Sequence, residues 1–193
     1  MPTPQGAYIH SWTANKLLKG AGAGADPTEI DVPLAGIWTL LETLSPAGVA
    51  SINSSALTAY DMFMVIFRVT EGTASFASYF AMKLNGDGGG NYCHVNLTSG
   101  NSVTNTSGDA RFRIAGSGTI AVRWEKVGKI YLPGKKGAVR VPIGVVVGQG
   151  DPVADYITLS GFYIAAANIT SFTFLSATGT MTGKIQIYGM DFP

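Results

Sequence analysis

The stretch that decides the fold is Tyr79–Phe80–Ala81–Met82–Lys83–Leu84–Asn85–Gly86–Asp87–Gly88–Gly89–Gly90–Asn91–Tyr92. A strand-like run climbs into a glycine-packed turn, and a second strand-like run leaves it. Asn–Gly and Asp–Gly supply the positive φ angles that a tight reversal needs, so the loop reads as a hairpin turn at one end of a sheet. The C-terminal part repeats the style. Ile169–Thr170–Ser171–Phe172–Thr173–Phe174 is followed by a small polar turn and then by Gly183–Lys184–Ile185–Gln186–Ile187–Tyr188–Gly189–Met190.

Outward from these runs, strand signals dominate from Gly36 on. Ile37–Leu44 precedes the turn Ser45–Pro46–Ala47–Gly48, and Val49–Ser55 follows it. Met62–Val69 is almost continuously apolar and ends at Glu71–Gly72, the pattern of a central strand covered on both faces. Thr119–Glu125 alternates, with Ile120, Val122 and Trp124 on one face and Arg123 and Glu125 on the other. In the last strand Ile185 and Ile187 face the core with Phe172, Phe174 and Trp124, while Lys184 and Gln186 face away. Val139–Val147 and Tyr156–Ala166 also fit strands, and Pro142 demotes the former to an edge or a bulge. The Leu57–Phe67 region is the best helical window, but its β-branched and aromatic content argues against a helix. The reading is all-β: an antiparallel β-sandwich of jelly-roll type over residues 34–193, preceded by an extended N-terminal arm over residues 1–33.

The arm differs from the rest. Gly20–Ala21–Gly22–Ala23–Gly24–Ala25 cannot pack a core and reads as a flexible link. Before it, Gly6–Lys19 carries Tyr8, Ile9, Trp12, Leu17 and Leu18, the candidate residues for contact with a partner. A tethered apolar arm suits docking on a neighbouring subunit or another protein, and equally suits folding back on its own domain.

Composition narrows the function. Hydrophobic residues make up 46% of the 193 residues and charged residues 13%, about half the usual share, so part of the surface is expected to be covered by other subunits. The formal net charge of +1 gives no footprint for nucleic acid. Arg111–Arg113 and Lys135–Lys136 read as solvated charges. The single Cys93 excludes an intrachain disulfide scaffold. No run is long and apolar enough to span a bilayer, and the first residues lack a charged region followed by an apolar core, so cytoplasmic synthesis without an export signal is expected. The sequons at Asn53, Asn96, Asn105 and Asn168 read as chance matches.

Catalytic motifs fail one by one. The glycine loop has no following Lys–Ser/Thr and no following helix to hold a phosphate. As a calcium loop it offers Asn85, Asp87 and Asn91, with a single carboxylate and no distant glutamate, so Asp87 is expected to matter to neither stability nor assembly. Cys93 and His94 are adjacent in a strand and point to opposite faces, so they cannot act as a nucleophile and its base. One cysteine and two histidines do not make a zinc site. Asp109, Glu125, Asp151 and Asp155 could supply a glycosidase pair, but spacing alone does not place them. Gly116–Ser117–Gly118 is not a nucleophile elbow. The expectation is therefore no enzyme, no cofactor, no metal and no membrane. The aromatics, including Trp38, Tyr60, Tyr131 and Tyr163, leave sugar stacking open as an alternative.

The run from Tyr79 to Tyr92 resembles a pattern common in tailed-bacteriophage virion proteins, where a strand ends in Arg-Phe-Asn-Gly-Asp and Asn-Tyr follows shortly. Here Met82–Lys83–Leu84 stands in place of the arginine and phenylalanine. Such proteins often close with Ile-Thr-Ser-Ile and a strand ending in Leu-Tyr-Gly-Ile, to which Ile169–Phe172 and Ile187–Met190 are similar. Trp38–Glu42 and Tyr60–Asp61 also fit. The resemblance covers roughly Gly36 to Met190. It implies a non-enzymatic β-sandwich component of a phage particle, either a head decoration or fibre-base protein or a tail or baseplate part. It would form a homo-oligomer, with a trimer expected, and contact other virion proteins. The alternative from another class is a carbohydrate-binding module that recognises a host surface glycan.

Overall fold

The computed structural model describes residues 16–19, 28–31, 37–72, 79–98, 103–115, 124–135, 140–149, 154–165, 167–177 and 179–192. The chain divides into two compact units, Met1–Ala35 and Gly36–Pro193. In the first, strand β1 (Lys16–Lys19) pairs antiparallel with β2 (Thr28–Asp31), with Leu17 opposite Ile30. The two sequence neighbours of the Gly/Ala run are thus side by side. The run itself, Tyr8, Ile9 and Trp12 lie outside the described residues, as do the side chains of Leu17 and Leu18.

The second unit is a β-sandwich with no helix among the described residues. Its strands are β3 (Thr39–Leu44), β4 (Ala47–Val49), β5 (Ser51–Asn53), β6 (Met62–Gly72), β7 (Phe80–Leu84), β8 (Tyr92–Thr98), β9 (Val103–Asp109), β10 (Phe112–Ala115), β11 (Trp124–Pro133), β12 (Ile143–Gln149), β13 (Ala154–Tyr163), β14 (Phe172–Ser176) and β15 (Thr180–Met190). The larger antiparallel sheet runs β3-β15-β6-β11-β12-β13-β8-β9, with β4 also on β15. The smaller runs β10-β7-β14-β5.

The core lies between the two sheets, and period-two alternation decides who enters it. From the larger sheet come Phe63, Val65, Phe67 and Val69 of β6, Ile130 and Leu132 of β11, and Ile185 and Ile187 of β15. Phe80, Met82 and Leu84 of β7 and Phe172 and Phe174 of β14 meet them from the smaller sheet. Rings make the cross-sheet contacts: Phe67 to Phe80 at 5.0 Å and Phe63 to Phe172 at 5.2 Å between centroids. Phe172, Phe174, Ile185 and Ile187 are buried and Lys184 is exposed, as the alternation requires. Ile120, Val122, Arg123 and the Trp124 side chain lie outside the described residues. β6 is central, as read, with β15 on one side and β11 on the other.

Two sequence readings change. β12 is no edge, because it lies between β11 and β13 and starts one residue after Pro142, where the missing N–H costs no ladder bond. β7 and β8 form no hairpin. A tight turn does follow Leu84, with Asn85 at φ 54° and Gly86 at φ 66° and the Asp87 N–H donating to the Leu84 carbonyl at 2.9 Å. That is a type I′ geometry. The strands on either side nevertheless belong to different sheets, so the loop carries the chain across the sandwich.

β11 went unread beyond Glu125 because its inward positions are Lys126, Gly128, Ile130 and Leu132. At Gly128 a Cβ would stand 2.5 Å from the Phe67 ring, so glycine leaves the space that the ring fills. Lys126 forms an ion pair with Glu71 of β6, and the two side chains are only 3% and 2% exposed. Burial pulls the Lys126 ammonium below the ordinary lysine value.

Two stability tests follow from this core. Phe67→Ala should cost about 3–5 kcal/mol in a denaturant titration, whereas Lys184→Ala on the opposite face should leave the midpoint unchanged. Lys126→Met and Glu71→Leu should each cost about 3–5 kcal/mol alone, because each strands a buried charge, and the double substitution should recover most of the loss. A double mutant no better than the worse single would show that the pair is not coupled.

Candidate interaction surface

The glycine loop is a crossing held by side chains. Tyr92, at the start of β8, is buried, and its hydroxyl oxygen accepts the Leu84 N–H at 2.8 Å. The hydroxyl hydrogen points between the Leu84 and Asp87 carbonyl oxygens, 3.3 and 3.2 Å away. The Asp87 carboxylate accepts from the Gly89 N–H (2.7 Å), the Asn91 side-chain amide (2.8 Å) and the Tyr163 hydroxyl (3.0 Å). The bond from Asn91 is the largest cause holding the Asp87 carboxyl below the usual aspartate value, with Gly89, Tyr163 and Lys83 adding to it against partial burial. Burial first, and then the bond to Asp87, pushes the Tyr163 phenol up to about 12. Asp87 is therefore a hub of this crossing. The expectation that it contributes nothing to stability is corrected: counting metal ligands said nothing of the donors that the fold brings to it.

Asn85 ties the same crossing to the second motif. Its side-chain oxygen accepts the Thr170 N–H at 2.8 Å and the Ser171 N–H at 3.3 Å, while its amide donates to the Asn168 carbonyl at 2.7 Å. Its own N–H donates to the Ser171 carbonyl at 2.9 Å. The Leu84–Asn85–Gly86–Asp87 and Ile169–Thr170–Ser171–Phe172 segments, far apart in sequence, thus meet at one place. Arg140 closes the neighbourhood. It is 1% exposed, and its guanidinium donates to the carbonyls of Ala165 (2.6 Å) and Ala167 and lies 5.7 Å from the centre of the Tyr163 ring. Burial lowers its pKa. These bonds are internal, and they fix loops.

The outward surface of the larger sheet is different in kind. Val127 and Tyr131 of β11 and Ile143, Val145 and Val147 of β12 point away from the core and are 37–58% exposed. Val127 stands opposite Val147, Lys129 opposite Val145 and Tyr131 opposite Ile143. The row through Tyr131 continues over Met64 of β6 and Tyr188 of β15 to the exposed Leu40 of β3. On β12 Gly144 faces inward, where a Cβ would lie 2.8 Å from the Lys129 carbonyl oxygen, and Val146 enters the core, while Ile143, Val145 and Val147 face out. The Lys129 ammonium lies 5.8 Å from the Tyr131 ring centre. Trp38 approaches that ring at 5.9 Å.

The residues weighed for chemistry are dispersed. Cys93 is buried, and the His94 side chain lies outside the described residues. Asp109 accepts from Arg113 at 2.8 Å, and Glu125 accepts from Arg68. Asp151 and the Asp155 side chain lie outside the described residues. Among the described residues, no three His, Cys, Asp or Glu side chains come together as metal ligands would. The basic pairs are more engaged than read: Arg111 and Arg113 lie 5.6 and 4.5 Å from the Tyr79 ring centre, and Lys135 pairs with Asp61 (3.1 Å) and Asp191 (2.8 Å). Lys136 lies outside the described residues. Compared with known proteins, no family model matches the chain, and no curated protein and no solved structure matches it.

Asp87→Ala should destabilise the fold by about 1–3 kcal/mol, the cost of leaving buried or half-buried donors unpaired. Because the folded-state pKa of Asp87 lies below its ordinary value, its contribution is present above that ordinary value and is lost as pH falls through the folded one. Between pH 5 and 2 the wild-type melting temperature should therefore fall more steeply than that of Asp87→Asn. Parallel curves would remove Asp87 from this role.

Proposed function

We propose that this chain is a non-enzymatic structural component of a tailed-bacteriophage particle, a jelly-roll β-sandwich that works by protein–protein contact as a head decoration, fibre-base or tail part. The observation that carries the proposal is the outward face of the larger sheet, where Val127, Tyr131, Ile143, Val145 and Val147 stand exposed on paired strands. A chain with 13% charged residues that spends its β-branched side chains on a sheet exterior is built to be covered. The phage assignment comes from the resemblance of Tyr79–Tyr92 and Ile169–Met190. It gains support from the way Asn85 binds the Ile169–Phe172 segment, because two motifs that bond to each other have a shared structural reason to occur together.

A second reading rests on Trp38 and Tyr131. The two rings lie side by side at the sheet surface, and Tyr131 is 37% exposed, a geometry on which a sugar ring could stack. Here the chain would recognise a host glycan as part of the particle.

Purified particles of the phage that encodes the chain decide the first reading. The protein should be present in them at a fixed copy number by quantitative mass spectrometry, and antibody labelling should place it on one substructure. Its absence from particles in cells that produce it would sink the proposal. For the second reading, assembled protein should bind a glycan array, and Tyr131→Ala should abolish the signal.

A further inference from the structure

We infer that the outward face of β11–β12, extended from Tyr131 past the buried Met64 to Tyr188 and Leu40, is a self-association surface on which a second copy of this chain packs sheet to sheet about a two-fold axis. The inference stands on this face and not on the virion reading.

Size comes first. The exposed parts of Leu40, Val127, Tyr131, Ile143, Val145 and Val147 amount to on the order of 500 Å², near the top of what the largest patch on a monomer shows. Each partner of a standard interface contributes roughly 800 Å², so this apolar centre and its rim suffice for one. Shape comes second. The centre is made of cross-strand rows of β-branched residues on adjacent strands, the surface that packs face to face at about 10 Å in a sandwich. Of the β-branched side chains of β12, Val146 enters the core, and Ile143, Val145 and Val147 go to that surface.

Charge selects the occupant. Among the described residues, the one charged side chain inside the patch, Lys129, lies beside its own Tyr131 ring. At one end of the strands stand Arg68 and Lys184 with Glu125, two positive groups and one negative. At the other end, where β6 begins and β15 finishes, Lys135 stands with Asp61 and Asp191, one positive group and two negative. The two ends carry opposite net charge along about 20 Å of strand. A second copy turned by a two-fold axis across the strands lays each positive end toward a negative one. Parallel stacking of the same faces would bring like ends together. The face is therefore complementary to itself in the reversed orientation, the requirement for an isologous pair.

The test is sedimentation equilibrium of the full chain at 1–100 µM. The expected species is a dimer of twice 20.1 kDa. Val145→Asp and Ile143→Asp should each convert it to a monomer with an unchanged far-ultraviolet spectrum. If either fails to fold, Val145→Thr, which keeps shape, and Ile143→Thr, which also removes one methyl carbon, should each raise the dissociation constant at least about tenfold, since each replaces apolar interface by a hydroxyl. Lys184→Glu, which makes both ends negative, should weaken the dimer more than Lys184→Gln. A wild-type monomer at 100 µM, a trimer, or a dimer indifferent to substitutions at Ile143 and Val145 would overturn the inference. A monomer that still copurifies with particles would overturn the pairing and leave the virion reading standing, and a dimer never found in particles would do the reverse.

Discussion

The rest of the sandwich depends on how the chain changes sheets after Leu84. It leaves β7 in one layer and must enter β8 in the other within seven residues, and the backbone groups freed at the crossing need partners. The Tyr92 hydroxyl, Asp87 and Asn85 supply them. Tyr92 belongs to the layer being entered and bonds the last residue of the layer being left, so a single side chain sets the separation of the sheets at that end. The Phe67–Phe80 and Phe63–Phe172 contacts fill the gap between the layers that this fixes.

Much of this was legible because one face of each strand is buried. β6, β7, β14 and β15 show a clear inner row, and a one-residue slip would turn it out, so their pattern reads directly. β9 (Val103–Asp109) is almost wholly polar, and its place comes from pairing with β8, a cause that no local pattern records. β11 hid for another reason: Gly128 yields its space to a ring on β6, and Lys126 is matched by an acid two strand positions away, so neither looks like a core residue from its own neighbours. The turn in the crossing loop is legible, since Asn–Gly dictates that much. Which strands it joins depends on Tyr92 and Tyr163, residues of the other layer.

The interaction surface was half legible. Low charge raises the expectation that part of the surface is covered, but composition has no address. Ile143–Gly144–Val145–Val146–Val147 reads as a strand whose two faces are equally apolar, and only the position of Gly144 under Lys129 tells in from out. Arg140 was silent in sequence as well. Its burial is tolerated because backbone carbonyls of Ala165 and Ala167, placed by an irregular segment, receive its charge.

The place of β15 bears on how the chain is made. It follows every other strand in the sequence, yet it lies between β3 and β6 in the larger sheet. During synthesis β3 and β6 emerge before β15 and wait with unpaired edges until Thr180–Met190 has left the ribosome. Their ladder is then closed by one insertion along eleven residues of β6. The β3–β15–β6 part of this sheet therefore closes only after Thr180–Met190 has been made, and a ribosome that stops before Thr180 releases two open strand edges, the kind of surface that chaperones hold and aggregates grow from.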